Sequence, residues 1–329
     1  MSKRRTIYLG LLLSLVFLYF TFRGVDIRQV WFNIRQLDSF FIAASAALIV
    51  AEFILRAFRW KFLLNPNSAP KVNQLFSVLM IGYFSNNIIP LRMGELVRAQ
   101  LLGTNYNVNR ARAIATIVVE RVCDVLTLLA LFGVSVLLYD VFPAWMKQGG
   151  IFTTIVLLAI SSFLYIYRHK AAGIIAQIRS RPSSNRFSEK LATGMENFGL
   201  GLGVLTNRKT VIIVLSLSVV IWAVVIASID MVLQSFSMQL SLFASIFIAV
   251  MVGLGMLLPA PPGNIGVYEG FAILALVPFG IEREAALSFS LVLHFLELTI
   301  TMSIGFVCLV REVGSVRTGM IKLWPGQAK

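Results

Sequence analysis

Charged residues recur at helical spacing within a part of the chain that is otherwise apolar. Arg92, Glu95 and Arg98 follow one another at three-residue intervals in the stretch PLRMGELVRA, which places them on one face of a helix. A guanidinium can hold a phosphate through two parallel hydrogen bonds. The pattern therefore predicts a site for an anionic group. The alternative is a structural ion pair between Glu95 and one of the arginines.

A second charged group lies in the stretch IVVERVCDVLTLLALF. Glu120 and Asp124 are four residues apart and share a helix face, whereas Arg121 is turned about 100° away. The two carboxylates could accept an arginine from the first stretch or carry protons. Equally, they could be neutralised by Arg92, Arg98 or Arg121.

Titratable residues also occur near the end of the chain. His294 and Glu297 lie on one face of the last predicted helix. Because histidine titrates near neutral pH, the pair is a candidate for a proton-linked role, but we favour a structural histidine–carboxylate contact. Glu269 follows a glycine-rich turn that contains Asn264. We predict that both belong to the binding site, with Glu269 opposite Arg92.

Composition defines the class of protein that must position these residues. The chain is 58% hydrophobic and 13% charged, and its mean hydropathy is +0.83. Several apolar runs reach the roughly 20 residues that a helix needs to cross a bilayer. We predict an all-α polytopic membrane protein that forms a single integral domain over residues 1–329.

The distribution of the net charge of +14 predicts the orientation. Basic residues cluster at the start of the chain, in the loop 168–209, where eight basic residues face two acidic ones, and after residue 311. This is the positive-inside pattern. We expect both termini on the cytoplasmic side of a cell inner membrane. No nucleic-acid motif accompanies the basic loops, so we expect no nucleic-acid partner.

Six apolar segments are expected to cross the membrane completely, and two are not. The complete crossings are predicted near 6–22, 40–63, 113–139, 151–167, 210–234 and 286–310. The segments 72–102 and 242–279 have the same predicted side before and after them, so we expect each to enter and return as a re-entrant hairpin. The first half (1–139) and the second half (210–311, before a tail at 312–329) would then form an inverted repeat.

Each re-entrant segment contains residues that interrupt a helix. Pro90 and Gly94 interrupt the first, and Pro262, Gly263 and Gly266 interrupt the second. Broken backbone persists at membrane depth only inside protein or beside a wet cavity. We therefore expect the two breaks to meet near the midplane and to form a site for a lipid headgroup.

Charges near the end of the 40–63 segment have a simpler interpretation. Glu52 and Arg56 have the spacing of an ion pair, with Arg59 one turn beyond. Arg56, Arg59 and Lys61 also lie toward the cytoplasmic end, where long basic side chains reach the interface. We favour that second interpretation.

Four motifs together resemble a known family. They are RWKFLL (59–64), NNIIPLRMGELVRAQLL (86–102), ERVCDVLTLL (120–129) and PGNIGVYEGF (262–271). In this order and spacing they are similar to the lysylphosphatidylglycerol synthase transmembrane, or flippase-like, family. The resemblance covers nearly the whole chain. The residues that match its motif positions are Arg92, Gly94, Glu95, Arg98, Glu120, Arg121, Asp124, Pro262, Gly263, Gly266 and Glu269.

The resemblance implies a lipid translocase that binds a phospholipid or lipid-linked headgroup, with an anionic or zwitterionic lipid as its partner. It also implies a lipid-modifying synthase as a second partner. The sequence ends at 329, and we expect no aminoacyl-transferase domain and no enzymatic activity. The alternative is a membrane enzyme or accessory subunit acting on lipid-linked sugars or aminoacylated lipids. A scaffold that only anchors a synthase is a third candidate, and oligomerisation stays open.

Other chemistry has no support in the sequence. The chain contains no nucleotide-binding glycine loop followed by lysine and no histidine–cysteine metal spacing. Its two cysteines, Cys123 and Cys308, both lie in apolar segments. We therefore predict neither a metal nor a cofactor.

Overall fold

The protein is all-helical wherever its structure is described. The computed structural model describes residues 25–65, 67–89, 93–138, 203, 207–256 and 261–317. Over these ranges the chain forms nine α-helices and no β-strand, which confirms the all-α prediction for this part of the chain. The predicted helices at 6–22 and 151–167 and most of the loop 168–209 lie outside the described residues.

The helices follow one another in two similar series. After the short α1 come one long helix, two shorter ones and another long helix, and this order then recurs. The bounds are α1 Ile27–Arg35, α2 Ser39–Leu63, α3 Val72–Ile88, α4 Gly94–Asn105, α5 Arg110–Leu138, α6 Arg208–Ser235, α7 Leu242–Gly255, α8 Val267–Leu276 and α9 Arg283–Arg317. The segments predicted near 40–63, 113–139, 210–234 and 286–310 correspond to α2, α5, α6 and α9.

Helix length separates two groups of elements. Among the described helices, α2, α6 and the Arg283–Glu312 part of α9 are long and apolar enough to cross a membrane. Helix α5 has 29 residues but carries charges as far as Asp124. Helices α3, α4, α7 and α8 have 17, 12, 14 and 10 residues, fewer than the roughly 20 that a complete crossing needs.

Polar side chains fix where the long helices begin. Asp38 accepts a hydrogen bond from the Phe40 amide at the start of α2. Asn207 accepts from the amides of Lys209 and Thr210 at the start of α6. Such caps satisfy amides that have no partner within the helix.

The two series of helices pack against each other, and the hairpin of each series contacts the last long helix of the other. Helix α2 packs along α6, and within each series the two short helices pack on one another, α3 with α4 and α7 with α8. Helix α3 also packs on α9, and α7 packs on α5. Each helical hairpin is therefore held by the last long helix of the other series. Two hydrophobic clusters, one centred on each series, form the core.

One end of the bundle, which we call the Leu64 end, joins α2, α4, α5 and α9. Arg112 Nη2 donates to the Leu64 carbonyl at 3.3 Å, so the end of α2 lies beside the start of α5. Glu312 of α9 accepts from Asn105 at 3.1 Å and from the Tyr106 hydroxyl at 3.0 Å. Burial raises the pKa of the Tyr106 phenol, and the Glu312 carboxylate adds to this effect. The phenol therefore keeps the proton that it donates.

The opposite end, which we call the Asp38 end, joins α1, α2, α6 and α9. The Asp38 amide donates to the Ser235 carbonyl at 3.2 Å, so the start of α2 lies beside the end of α6. Asn33 of α1 donates to Ser288, in the second turn of α9, at 3.4 Å. The start of α9 is therefore at this end as well.

The first hairpin closes through an unusually tight backbone approach. The Gly94 amide donates to Asn86 Oδ1 at 2.7 Å. A Cβ atom at Gly94 would lie 2.1 Å from the Gly82 carbonyl oxygen and 2.5 Å from Asn86 Oδ1. Glycine is therefore required for α4 to start against α3. Pro90, the other predicted break of this hairpin, lies outside the described residues.

The second hairpin breaks in left-handed backbone. Gly263 has φ +71°, Asn264 φ +54° and Gly266 φ +87°. Glycine adopts these values without steric cost. Pro262 begins a single 3₁₀ turn, Pro262–Asn264, and α8 starts after Gly266. The chain thus changes direction where the predicted break residues lie.

Helix α1 is an element that the sequence analysis did not predict. It is amphipathic, with Val30 buried and Ile27, Trp31 and Phe32 exposed. Arg35 lies over the Trp31 ring, 5.1 Å from its centroid. Its nine residues are too few and too polar on average to resemble a membrane crossing.

Gly94→Ala is expected to destabilise the fold. The new methyl group would overlap the Gly82 carbonyl, and overpacking of this kind costs about 1–3 kcal/mol. Gly133→Ala is the matched control, because a Cβ there meets nothing within 4 Å and alanine favours helix by ~1 kcal/mol. Thermal unfolding in detergent should therefore show a lower Tm for Gly94→Ala alone. Equal Tm values for the two variants would contradict this account of the hairpin.

Candidate functional site

A polar cavity lies between the two hairpins. Its volume is about 190 Å³. Both breaks contribute to its wall, together with the middle of α2, α5, α6 and α9. Its polar and charged lining residues are Glu52, Arg56, Tyr83, Asn86, Asn87, Glu95, Arg121, Asp124, Trp222, Ser228, Asn264, Tyr268, His294, Glu297 and Thr301.

Along one wall of the cavity and behind it, buried charges alternate in sign from helix to helix. Arg98 of α4 donates twice to Glu120 of α5, at 2.8 and 3.3 Å. Arg59 of α2 has its Nη2 atom 4.0 Å from Glu120 and donates from Nη1 to Asp124 at 2.7 Å. Arg56 donates to the other Asp124 oxygen at 3.0 Å. Three helices are thereby joined by one continuous set of ion pairs.

The set ends on α2 itself. Arg56 Nε donates to Glu52 at 2.6 Å. Together with the previous contacts, three arginines face three carboxylates, so this buried set carries no net charge. Helical spacing explains the geometry: Glu120 and Asp124 are one turn apart on α5, and Glu52 and Arg56 are one turn apart on α2.

Arg98 is held by aromatic and glycine neighbours as well. Its guanidinium carbon lies 4.0 Å from the centroid of the Trp60 ring, a cation–π contact. A Cβ at Gly82 would lie 2.5 Å from Arg98 Cγ, so the small residue leaves room for the arginine. The Trp60 indole donates in turn to Thr116 at 3.1 Å.

Arg121 differs from the other arginines because it is open to the cavity. Its side chain is 37% exposed, compared with 7% for Arg56 and 2% for Arg98. It donates to Glu95 at 3.1 Å, and the Glu95 side chain is itself 25% exposed. This ion pair therefore presents a guanidinium that a ligand can reach.

The second hairpin contributes a titratable group. His294 Nδ1 of α9 lies 2.6 Å from Glu269 Oε1 of α8. The other oxygen of Glu269 accepts from the Gly266 amide at 2.6 Å and so caps α8. Tyr268 stacks on the His294 ring with centroids 4.2 Å apart, and its hydroxyl hydrogen-bonds with Glu297.

The structure places the predicted site residues in two layers. Glu95, Arg121, Asp124, Asn264, Gly263, His294 and Glu297 line the cavity. Arg98, Glu120 and Glu269 do not line it; Arg98 and Glu120 pair with each other, and Glu269 contacts His294, which does line it. Gly94, Pro262 and Gly266 form the breaks described above. Arg92 and Pro90 fall outside the described residues, so the contact predicted between Arg92 and Glu269 stays a prediction.

One interpretation of the α2 charges is wrong. Arg59 does not reach toward the membrane interface, because its side chain is fully buried and paired with Asp124. The alternative ion pair between Glu52 and Arg56 does form. The spacing of these residues contained the signal, but it gave no indication of Asp124 as the shared partner. Trp222 and Tyr268 were missed as cavity residues because lone aromatics in apolar segments resemble core.

The helices and their buried charges define a class, a helical membrane protein with a polar cavity between broken hairpins. Within that class, the chain belongs to the family described as the lysylphosphatidylglycerol synthase TM region, whose model matches residues 7–305. The resemblance drawn from the four motifs is therefore confirmed.

Individual relatives differ in length. Glycosyltransferase AglD of Haloferax volcanii is 26% identical over 333 residues, which cover 92% of this chain and 53% of AglD. The chain thus spans about half the length of that relative. Two UPF0104 membrane proteins of Methanothermobacter thermautotrophicus are 23% identical each, and the alignments cover 85% and 93% of their lengths.

Asp124→Ala is expected to destabilise the protein strongly. It would leave both Arg56 and Arg59 without that carboxylate in a buried position, and breaking a buried ion pair costs about 3–5 kcal/mol. Glu95→Gln, at a partly exposed pair, should cost no more than about 1 kcal/mol. Thermal unfolding followed by size-exclusion chromatography compares them. A similar loss of Tm in both variants would show that the buried set is not the stabilising one.

Proposed function

We propose that the protein is a membrane lipid translocase that binds a phospholipid or lipid-linked headgroup in the cavity and moves it between leaflets. The observation that carries this proposal is the cavity itself: a charged chamber of about 190 Å³ between two broken hairpins of an otherwise apolar protein. Broken backbone and charged side chains at membrane depth are typical of substrate sites in transporters.

For the first hairpin we infer a re-entrant path that starts and finishes on the cytoplasmic side. The end of α2 and the start of α5 meet at the Leu64 end through Arg112. Helices α3 and α4, which connect them, pack on each other. At about 1.5 Å per residue the 12 residues of α4 span roughly 18 Å, close to the roughly 15 Å from the middle of the hydrocarbon core to one face.

For the second hairpin we infer the mirrored path from the other side. The end of α6 and the start of α9 both lie at the Asp38 end, and α7 and α8 connect them. The exchanged packing of α3 on α9 and of α7 on α5 is what an inverted repeat would produce. In this proposal the protein is a multi-pass inner-membrane protein with cytoplasmic termini.

The first hairpin would hold the phosphate of the headgroup. Of the two described arginines that line the cavity, Arg121 has the more exposed guanidinium, and two parallel hydrogen bonds from it suit a phosphate. Arg92, at the break itself, would be the second ligand. Arg98 would support the site from behind, because Glu120 already takes its hydrogen bonds. Glu95 would release Arg121 when the phosphate arrives.

The relative named Glycosyltransferase AglD favours a second candidate function. In that alternative the chain is a membrane enzyme or accessory subunit acting on lipid-linked sugars, and the cavity is its acceptor site. An enzyme needs a positioned base beside the reacting group, whereas a translocase needs a site that both faces can reach. Product formation without movement between leaflets would therefore favour the alternative.

The proposed topology predicts the labelling of single cysteines. With Cys123 and Cys308 replaced by alanine, Asn67→Cys and Asn107→Cys should both react with an impermeant thiol reagent from the cytoplasmic side. Ser237→Cys and Glu282→Cys should react from the opposite side. Labelling of Asn67→Cys and Asn107→Cys from different sides would mean that 72–102 crosses the membrane, against the re-entrant proposal.

The proposed phosphate site predicts opposite effects of two neighbouring substitutions. In vesicles that contain the purified protein, Arg121→Gln should slow the movement of labelled phosphatidylglycerol about tenfold or more, since a hydrogen bond to a charged group is worth about 1.5–3 kcal/mol. Glu95→Gln should retain or accelerate it, because it removes the carboxylate that competes for Arg121. Arg92→Ala should also slow it.

Arg208→Gln, at an exposed position at the start of α6, is the matched control and should move lipid like the wild type. The labelled panel also includes phosphatidylethanolamine and an isoprenoid phosphate sugar, which distinguishes the headgroups. If no labelled lipid changes leaflet with the wild type, the translocase proposal fails.

A further inference from the structure

One carboxylate in the cavity has no cation of its own. Among the residues that the structure describes, two arginines line the cavity, and both are engaged, Arg56 by Glu52 and Asp124 and Arg121 by Glu95. Over the ranges that the structure describes, Glu297 has no basic side chain within 4 Å, and its polar partner is the Tyr268 hydroxyl. Within the described part of the chain, Glu297 is therefore the cavity carboxylate without an ion-pair partner.

The surroundings of Glu297 make its ionised form unfavourable. Glu52 and Arg56 line the same cavity as Glu297, and Arg56 Nε already donates to Glu52 at 2.6 Å. Two carboxylates that share one cation favour uptake of one proton. The titratable and charged groups that face Glu297 are Glu52 and Arg56 on α2, Arg121 and Asp124 on α5, Tyr268 and Glu269 on α8, and His294 on α9.

We propose that Glu297 is a proton-binding site that couples proton movement to lipid movement. This inference rests on the proposed function and adds the coupling ion to it. The cavity exposes Glu297 to solvent-borne protons, and the proton is the smallest cation that can compensate an unmatched carboxylate. The carboxylate would bind the proton on one side of the membrane and release it on the other as the cavity changes access.

Tyr268 supplies the link from the proton to the hairpin. It is the second residue of α8, and its hydroxyl joins α8 to Glu297 on α9. A hydrogen bond to an ionised carboxylate is about twice as strong as one between neutral groups. Proton binding at Glu297 therefore weakens the attachment of the second hairpin to α9, and proton release restores it.

In the first hairpin, the contact between the second short helix and the following long helix is an arginine–carboxylate pair. Arg98 of its return helix pairs with Glu120 of the next long helix, just as Glu269 of α8 pairs with His294 of α9. Arginine keeps its proton at any physiological pH. Proton-dependent movement is therefore assigned to the second hairpin, and the first hairpin keeps a permanent ion pair.

The pH dependence of lipid movement tests the proposal. Vesicles containing the wild-type protein should move labelled phosphatidylglycerol faster as the pH falls, with a slope of up to ~tenfold per pH unit for one proton. Glu297→Gln, which resembles the protonated carboxyl, should move lipid at a rate that does not change with pH. His294→Gln should keep a one-proton pH dependence. The exposed Glu282→Gln is the matched control and should behave like the wild type.

Where the wild type moves lipid, three results would overturn the proposal: a rate that does not change with pH, a Glu297→Gln profile that parallels the wild type, or loss of the pH dependence in His294→Gln alone. A changed preference between phosphatidylglycerol and phosphatidylethanolamine in Glu297→Gln, with an unchanged pH profile, would also overturn it. In that case Glu297 would bind a cationic part of the headgroup instead.

Infrared spectroscopy of the detergent-solubilised protein separates this proposal from the proposed function. Acidification should produce a protonated carboxyl band that Glu297→Gln removes and Glu282→Gln retains. If the wild type moves no lipid yet shows this band, the translocase proposal fails and the proton site stands. If the band is absent or unaffected by Glu297→Gln, the proton site is refuted regardless of transport.

Discussion

Electrical neutrality of the buried arginines is the constraint on which the rest of the structure depends. The buried guanidiniums of Arg56, Arg59 and Arg98 lie among apolar helices, and each is matched by a carboxylate from another element or another turn. An uncompensated charge in such surroundings costs several kcal/mol. Because Asp124 pairs with both Arg56 and Arg59, these contacts fix the position of α5 relative to α2. The pair of Arg98 with Glu120 fixes α4 relative to α5, and so positions the first hairpin.

Neutrality of the buried set limits which charges of the cavity are free to meet a ligand. The members of that set that line the cavity, Glu52, Arg56 and Asp124, are paired with one another. The cavity groups outside the set are the more exposed Arg121–Glu95 pair on one side and Tyr268 with Glu297 on the other. The cavity thus has one side that offers a guanidinium and another that offers a carboxylate. The backbone breaks at Gly94 and Gly266 bring these sides together without exposing amides to lipid.

The sequence predicted those features that local rules determine. It did not predict ion-pair partners that are distant in the sequence. Apolar length identified α2, α6 and α9, and the glycines and prolines identified the interruption at 262–266. Helical spacing put Glu120 and Asp124 on one face, but only tertiary packing decides that Asp124 receives Arg59. The same limit applies to His294, whose carboxylate partner proved to be Glu269, distant in sequence. Helix α1 escaped notice because nine half-polar residues resemble a loop.

The hydrogen bonds from Asn105 and Tyr106 to Glu312 connect the two series of helices directly. They attach the outer end of the first hairpin to the far end of α9, the helix that carries the contacts of the second hairpin. A shift of α4 along its axis would therefore also displace α9. That displacement would change the contact between His294 of α9 and Glu269 of α8. Under the proposed function, this connection would link movement of the first hairpin to movement of the second.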